Sequence, residues 1–436
     1  MGNSRVRVMW CDLNGLSHGR YVPERRVGEH GHHAVTTLTM TIGGEILPID
    51  GYAADVGFPD LSTVPLAETR RPGWEIGTDV VIADLEFNGA PLAIAPRAAL
   101  GRAVHAWRSL GYEPMLGFEM EFYVMQADDT AVGGYSPLRI PAHRVYGVGM
   151  GGDNTGLMFD IFDAVEASEL DLEGVMGEFS PGQLEVNMKY GPAMDAADRA
   201  FICKELTREV AARKGYWVTY MGRPHPQMVG SGMHINFSLS PVGGGPNAFD
   251  EPGVEHGVSS LARQCLGGLI SHHEAIAAMS APTVNSYRRL IPGIIAGYWA
   301  NWGLDNRCST YRIPYERGAS TRIENRMPCG SSNPYLAAAV MLNAALLGVV
   351  DGLDCGAPQI GSDETPNTAR HTPHTLGEAL CAYEADTVLC EAMGTDLTRA
   401  FLAIRREEWA RWEATGHGWD LDEVTAWELR EYLPFY

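Results

Sequence analysis

Polar and apolar residues alternate strictly along four separate stretches of the chain. In residues 117–123 (GFEMEFY), Phe118, Met120 and Phe122 fall on one side of an extended strand, with Glu119 and Glu121 on the other. After Glu178, the turn Ser180-Pro181-Gly182 leads into 183–188, where Leu184, Val186 and Met188 alternate with Gln183, Glu185 and Asn187. Along 230–239, Met233, Ile235, Phe237 and Leu239 oppose His234, Asn236 and Ser238, and in 322–326 the residues Arg322, Glu324 and Arg326 share one face. A period of two predicts four strands, each with a core side and a polar side. Elsewhere the period lengthens. Leu100, Ala103, Trp107 and Leu110 recur at helical spacing behind Pro96, which suits a first helical position, until Gly111 ends the run. Residues 333–353 read as a long buried helix, 398–415 as a charged amphipathic one, and 355–375 as an irregular loop rich in Pro, Asp, Thr and Gly. Short β-like runs at 6–10 and 80–87 predict a small sheet-rich domain over residues 1–92. A boundary at Ala95-Pro96 opens a larger mixed domain, 96–436, that carries all four alternating strands.

Composition narrows the setting. A chain of 436 residues exceeds one ordinary core, and 45% apolar with 20% charged residues describes a folded globular protein. Lys and Arg number 33 against 54 Asp and Glu, a net charge of −21, which repels a phosphate backbone and argues against a nucleic-acid partner. No stretch reaches 18 uninterrupted apolar residues, so no membrane span is expected. The eight cysteines form no CxxC pair and no apolar leader precedes Asp12, which together predict free thiols and a cytoplasmic location. The tract His30-Gly31-His32-His33 reads as a solvent-exposed, Gly-flanked loop and not as a metal site.

The polar faces carry the chemistry. Two carboxylates side by side on a strand repel one another unless a cation or basic group lies between them. Glu119, Glu121, Glu178, Glu185, His234 and Glu324 all sit where the opposite face is core. Carboxylate oxygens with one imidazole suit Mg²⁺ or Mn²⁺, and so many acidic groups predict two or more ions at a phosphoryl-transfer site. Arg289, Arg307, Arg312, Arg322 and Arg326 would then bind carboxylates and phosphates bidentately.

In order and approximate spacing, GFEMEF, GEFSPGQLEVN, GSGMHINFSL, NSYRRLIPG, DNRCSTYRIP, RIENR and SSNPYLAAAVML resemble the glutamine synthetase superfamily, as does the N-terminal CDLNGLSHGRYVP. The resemblance implies an α+β chain: an N-terminal β-grasp domain, then a glutamine synthetase-type α/β catalytic domain with a curved antiparallel sheet. It also implies a homo-oligomer of double hexameric rings whose sites lie between neighbouring subunits. ATP would phosphorylate the γ-carboxylate of L-glutamate, and an amine would displace the phosphate. By motif position, Glu121, Glu178 and Glu185 resemble ligands of the metal on the acceptor side, and Glu119, His234 and Glu324 those of the metal bridging the ATP phosphates. Arg289, Arg326 and the Gly230 backbone match glutamate-binding groups. Arg307 and Arg312 match arginines that meet the transferring phosphate, and Arg322 and Ser238 match nucleotide contacts.

The departures set the expected acceptor. Ammonia-using members carry a glutamate after LVPGY, where this chain has Ile295, an apolar residue at the acceptor pocket. Asn236 replaces a second histidine, Val229 an asparagine, and Cys329 a common aspartate. Ammonium is a strongly hydrated cation, and binding it against an apolar wall without a counter-charge is costly. The run 294–302, rich in apolar and aromatic residues, resembles the branch that joins glutamate to organic amines. An organic amine is therefore the expected acceptor, with Asp50 or Asp55 orienting it. An ammonia-using glutamine synthetase and a catalytically silent sensor or structural ring remain the alternatives.

Overall fold

The computed structural model describes residues 4–421 and 423–436. Its first sheet joins β1 (Arg5–Cys11), β2 (Ser17–Pro23), β3 (Gly31–Ala34), β4 (Asp60–Pro65), β5 (Arg71–Pro72), β6 (Thr78–Phe87) and β7 (Ala90–Pro91). The principal order is β2-β1-β6-β4-β3, with a parallel β1–β6 pair at the centre and antiparallel pairs outside it. The sheet packs on both sides. Val6, Val8, Val22, Val81 and Ala83 form a small cluster on one face, while Met9, Val80, Ile82 and Leu85 join the main core. His32 and His33 are not in a loop: they lie within β3, opposite Ser62 and Leu61 of β4, because the backbone of that tract completes the sheet.

Helix α1 (Pro96–Ser109) begins at the expected proline and leads into β8 (Tyr112–Ala127), the longest strand. The second sheet adds β9 (Tyr135–Pro137), β10 (Leu172–Gly177), β11 (Gln183–Met188), β12 (Gly191–Pro192), β13 (Trp217–Thr219) and β14 (Met233–Pro241). It is completed by β15 (Trp302–Leu304), β16 (Tyr311–Ile313) and β17 (Ile323–Asn325), in the order β10-β11-β8-β14-β17-β16-β15. All of its pairs are antiparallel except β15–β16.

Helices α2 (Leu157–Ala167), α3 (Ala193–Arg213), α4 (Ser260–Ser271), α5 (His273–Ser280) and α6 (Pro334–Val350) cover this sheet, followed by α7 (Leu376–Ala385), α8 (Thr387–Met393), α9 (Thr395–Glu413) and α10 (Ala426–Tyr432). Helix α6 is apolar on every side and is buried accordingly. Asn333 is its N-cap, accepting from the amides of Tyr335 and Leu336, and its Nδ2 donates to the Asp12 carbonyl at 2.8 Å. That bond, with Tyr436 Oη to the Asn14 carbonyl at 2.9 Å, fastens the turn after β1 to the start of α6 and to the C-terminal residue. All eight cysteines are free thiols. No described helix is long and apolar enough to cross a membrane.

Candidate active site

Strand register assembles the polar faces into one surface. Residues directly opposite on neighbouring strands point to the same side. Glu185 of β11 faces Glu121 of β8, and Glu119 of β8 lies between Asn187 of β11 and His234 of β14. Further across, Glu324 of β17 lies between Asn236 of β14 and Arg312 of β16. Phe118, Met120, Phe122, Leu184, Val186, Ile235 and Phe237 are buried on the reverse face.

Glu119, His234 and Glu324 offer ligand atoms that all lie within 4.8 Å of one another. His234 Nδ1 is 3.4 Å from Glu119 and 3.9 Å from Glu324, and its Nε2 is 3.7 Å from Glu121. Burial, reinforced by the Arg326 charge, lowers the His234 pKa to about 3, so the ring is neutral at physiological pH and keeps a lone pair. Glu121 is fixed by the Gly232 amide at 2.8 Å and Gln183 Nε2 at 3.2 Å. Burial, and then the charge of Glu121, push the pKa values of Glu178 and Glu185 well above the ordinary carboxylate range. Buried carboxylates this crowded need protons or cations between them, and hard oxygen donors with one imidazole fit divalent Mg²⁺ or Mn²⁺.

The arginines take up particular partners. Arg312 Nη1 donates to Glu324 Oε2 at 2.6 Å, Arg312 Nη2 to Asp305 at 2.5 Å, and Arg326 Nη1 pairs with Glu324 Oε1. Arg289 is buried, donating to the carbonyls of Met327 (2.9 Å) and Arg326 (3.0 Å), with Nη2 3.4 Å from His234 Nε2. Arg307 is exposed, and its charge acts on Glu178 and on Tyr146. Arg322 Nε donates to Asn236 Oδ1 at 2.9 Å, while Asn236 Nδ2 donates to Glu119 at 2.8 Å, so this amide bridges an arginine to the acidic cluster. Beside them is a cleft of about 290 Å³ whose lining includes Gly117, Glu119, Asn187, Tyr190, Ser238 and Arg322.

Ile295 lies on an exposed loop, and the residue is 41% exposed. Its carbonyl accepts from Arg326 Nη2 at 3.2 Å, and its φ is +57°, a left-handed backbone that a β-branched residue rarely adopts. Asp50 and Asp55 are not joined to the cluster. The Asp55 carboxylate accepts from the Gly51 and Ala53 amides, and the Asp50 carbonyl from Arg399. Tyr146 and Tyr190 escaped the sequence reading. Tyr146 sits in an irregular loop and Tyr190 just past the end of the alternating strand, so neither has a period to announce it.

Metal dependence should show in stability. A carboxyl group with a raised folded pKa binds its proton more tightly folded than unfolded, so stability falls as pH climbs between the two values. His234 opposes this below its ordinary pKa of 6.5, and buried Lys204, whose pKa is lowered to about 8, opposes it above that. Between those limits Glu178 and Glu185 dominate. The melting temperature of the metal-free protein is expected to fall from about pH 6.5 to about pH 8, and Mg²⁺ to raise it more at the upper end. Thermal melts with EDTA and with Mg²⁺ check this, and an equal Mg²⁺ effect at both ends counts against it.

Comparison with known proteins agrees with this geometry. A family model described as glutamine synthetase, catalytic domain, matches residues 93–424. The chain is 32% identical over 361 residues to a glutamine synthetase of Thermotoga maritima, covering 79% of this chain and 78% of that one. It is also 32% identical over 443 residues to the γ-glutamylethanolamide synthetase GlnA4 of Streptomyces coelicolor, covering 98% and 91%. A solved structure of GmaS in complex with ADP superposes with a TM-score of 0.82 at 28% identity, covering 98% of this chain and 96% of that one. The match over residues 93–424 shows that the chain belongs to the glutamine synthetase family and is an ATP-dependent carbon–nitrogen ligase.

Proposed function

We propose that the protein couples the γ-carboxylate of L-glutamate to an organic amine, using ATP, to give a γ-glutamylamide. The observation that carries this is Ile295. The acidic, imidazole and arginine groups are all present, yet the position that matches the glutamate of ammonia-using members is apolar, on a loop bonded to Arg326. Similarity to a γ-glutamylethanolamide synthetase over 98% of the chain supports the same acceptor class.

The chemistry follows from the electrophile. A carboxylate reacts poorly with amines because oxide is a poor leaving group. Transfer of the γ-phosphoryl group of ATP to a γ-carboxylate oxygen forms an O–P bond and releases ADP. The neutral amine then forms the C–N bond as phosphate departs, and loses one proton. Arg289, Arg326 and the Gly230 backbone would hold the acid, Arg307 and Arg312 the transferring phosphoryl group, and Arg322 and Ser238 the nucleotide. Glu121, Glu178 and Glu185 would hold one divalent ion, and Glu119, His234 and Glu324 another. Such ions offset the charge of the nucleotide and of the reacting oxygens. Arg312 and Arg326 pair with Glu324 within the chain; exchanging that carboxylate for a substrate anion keeps both guanidinium groups compensated.

An alkylamine arrives protonated and needs a proton acceptor. Asp50 and Asp55 lie on exposed stretches near the exposed apolar side chains of Ile46, Val56 and Phe58. Either aspartate would serve the site of a neighbouring subunit in a ring-shaped homo-oligomer.

Phosphate release from Mg²⁺-ATP and L-glutamate, measured against ammonium, methylamine, ethanolamine, isopropylamine, polyamines and aniline, tests the proposal. Turnover with an organic amine well above that with ammonium is expected. Ammonium as the best acceptor would make the protein a glutamine synthetase, and no turnover with any acceptor would end the ligase reading for glutamate.

A further inference from the structure

The segment that carries Arg289 is held from behind by the C-terminal helix. Val284–Arg288 form a single 3-10 turn whose Thr283 and Ser286 close a capping box. Neighbouring side chains on this turn go to different places: Arg289 reaches His234, while Arg288 runs into a buried network and is itself 0% exposed.

At the centre of that network is Glu428 of α10, also 0% exposed. Its carboxylate accepts from Arg288 Nε at 3.2 Å and Nη2 at 3.1 Å, and from Asn285 Nδ2 at 3.0 Å. It also accepts from the Thr425 amide and hydroxyl, each at 2.9 Å. Arg288 donates further to the Asp420 carbonyl, and its guanidinium lies 4.0 Å from the centre of the Trp419 ring. Asn285 exchanges hydrogen bonds with the backbone of Arg223, at 2.8 Å and 2.9 Å. The Arg223 guanidinium in turn donates to the carbonyls of Met228, Arg288 and Leu421.

Two segments of the site, 223–230 and 284–289, therefore meet the C-terminal segment in one buried set of charge-assisted bonds. They are also packed against each other without slack, since a Cβ at Gly230 would lie 2.4 Å from Arg289 Cγ. The Arg288 backbone is thus joined to Arg289, its chain neighbour, and through its carbonyl to Arg223 on the segment leading to Gly230. Helix α10 begins at Ala426, so Glu428 itself lies beyond residue 424, the last one matched by the family.

We propose that Glu428 is a positioning residue for binding of the acid substrate. Through Arg288 and Asn285 it sets where the Arg289 guanidinium and the Gly230 backbone stand. The inference rests on reading those two groups as the ones that hold L-glutamate.

Two variants of the full-length chain separate positioning from mere support. Glu428→Gln leaves the Arg288 guanidinium buried without its counter-charge and is expected to lower the melting temperature. The paired variant Arg288→Met/Glu428→Leu removes both charges and is expected to melt above Glu428→Gln, although the Asn285 and Thr425 donors lose an acceptor and keep it below the wild type. In both, the charged clamp on Arg288 is lost, so the KM for L-glutamate is expected to rise about tenfold while the KM for ATP stays unchanged. An unchanged glutamate KM in the paired variant overturns the inference and leaves the ligase reading standing. Glutamate and ATP constants that move together in Glu428→Gln, in step with lost stability, overturn it equally. A wild-type protein with no L-glutamate-dependent turnover overturns the ligase reading, and this inference with it.

Discussion

Glu185→Gln is expected to lower kcat by more than about 10²-fold while raising the melting temperature of the metal-free protein at pH 8. The two effects have one cause. Glu185 is buried opposite Glu121 across the β11–β8 pair, and burial together with the charges of Glu121, Glu119 and Glu178 disfavours its ionised form. At pH 8 the folded chain bears that cost whenever no cation is bound, and a neutral amide of the same shape removes it. The same carboxylate is a candidate ligand of a divalent ion. Outer-shell partners of metal ligands commonly cost 10- to 100-fold when removed, so loss of a ligand itself should cost more. The variant should also flatten the decline of stability between about pH 6.5 and about pH 8. Activity assays and thermal melts in EDTA read both halves. A variant that is stabilised yet fully active removes Glu185 from the site, and one that is inactive and less stable attributes the loss to damaged packing.

Ile295→Glu is expected to shift the acceptor preference toward ammonium, raising the ratio of ammonium to organic-amine turnover by about tenfold or more. The substitution places a carboxylate where a cation lacks a counter-charge, and cation–carboxylate attraction at a half-exposed site is worth roughly 1–2 kcal/mol, about one decade. Little stability should be lost. The isoleucine is 41% exposed, so a charged head can stay solvated, and its +57° backbone suits an unbranched residue better than a β-branched one. Initial rates with ammonium and with the preferred organic amine, measured on both proteins, provide the test. An unaltered ratio means the acceptor is chosen elsewhere, and Phe179 and Tyr146, exposed beside Glu178, are the next residues to exchange.

The sequence by itself determined which side chains share a face. Alternation along a strand is a local steric property, so Glu119 with Glu121, Gln183 with Glu185, and His234 with Asn236 were legible before any fold was known. The same holds for α1 behind Pro96 and for α6, where a helical period and an Asn-Pro start suffice, although α6 stops at Val350, three residues short of the expected end. Ordered motifs carried the family, and the catalytic-domain match agrees with them.

Only the tertiary structure decided which faces meet. That Glu121 lies opposite Glu185, and His234 beside Glu119, depends on strand register, which is set by long-range pairing and by irregularities such as the shift between Leu172 and Gly174. The pairing of both Arg312 and Arg326 with Glu324 was likewise invisible, because charge partners are chosen by distance and burial and not by order along the chain. The same applies to His32 and His33, which look like loop residues until β4 arrives to pair with them. Farthest from view was Glu428. It lies 140 residues from Arg288 in a short helix with an ordinary capping box, and nothing local distinguishes it. Its buried charge becomes meaningful only where folding removes water from both partners, so that each needs the other's charge.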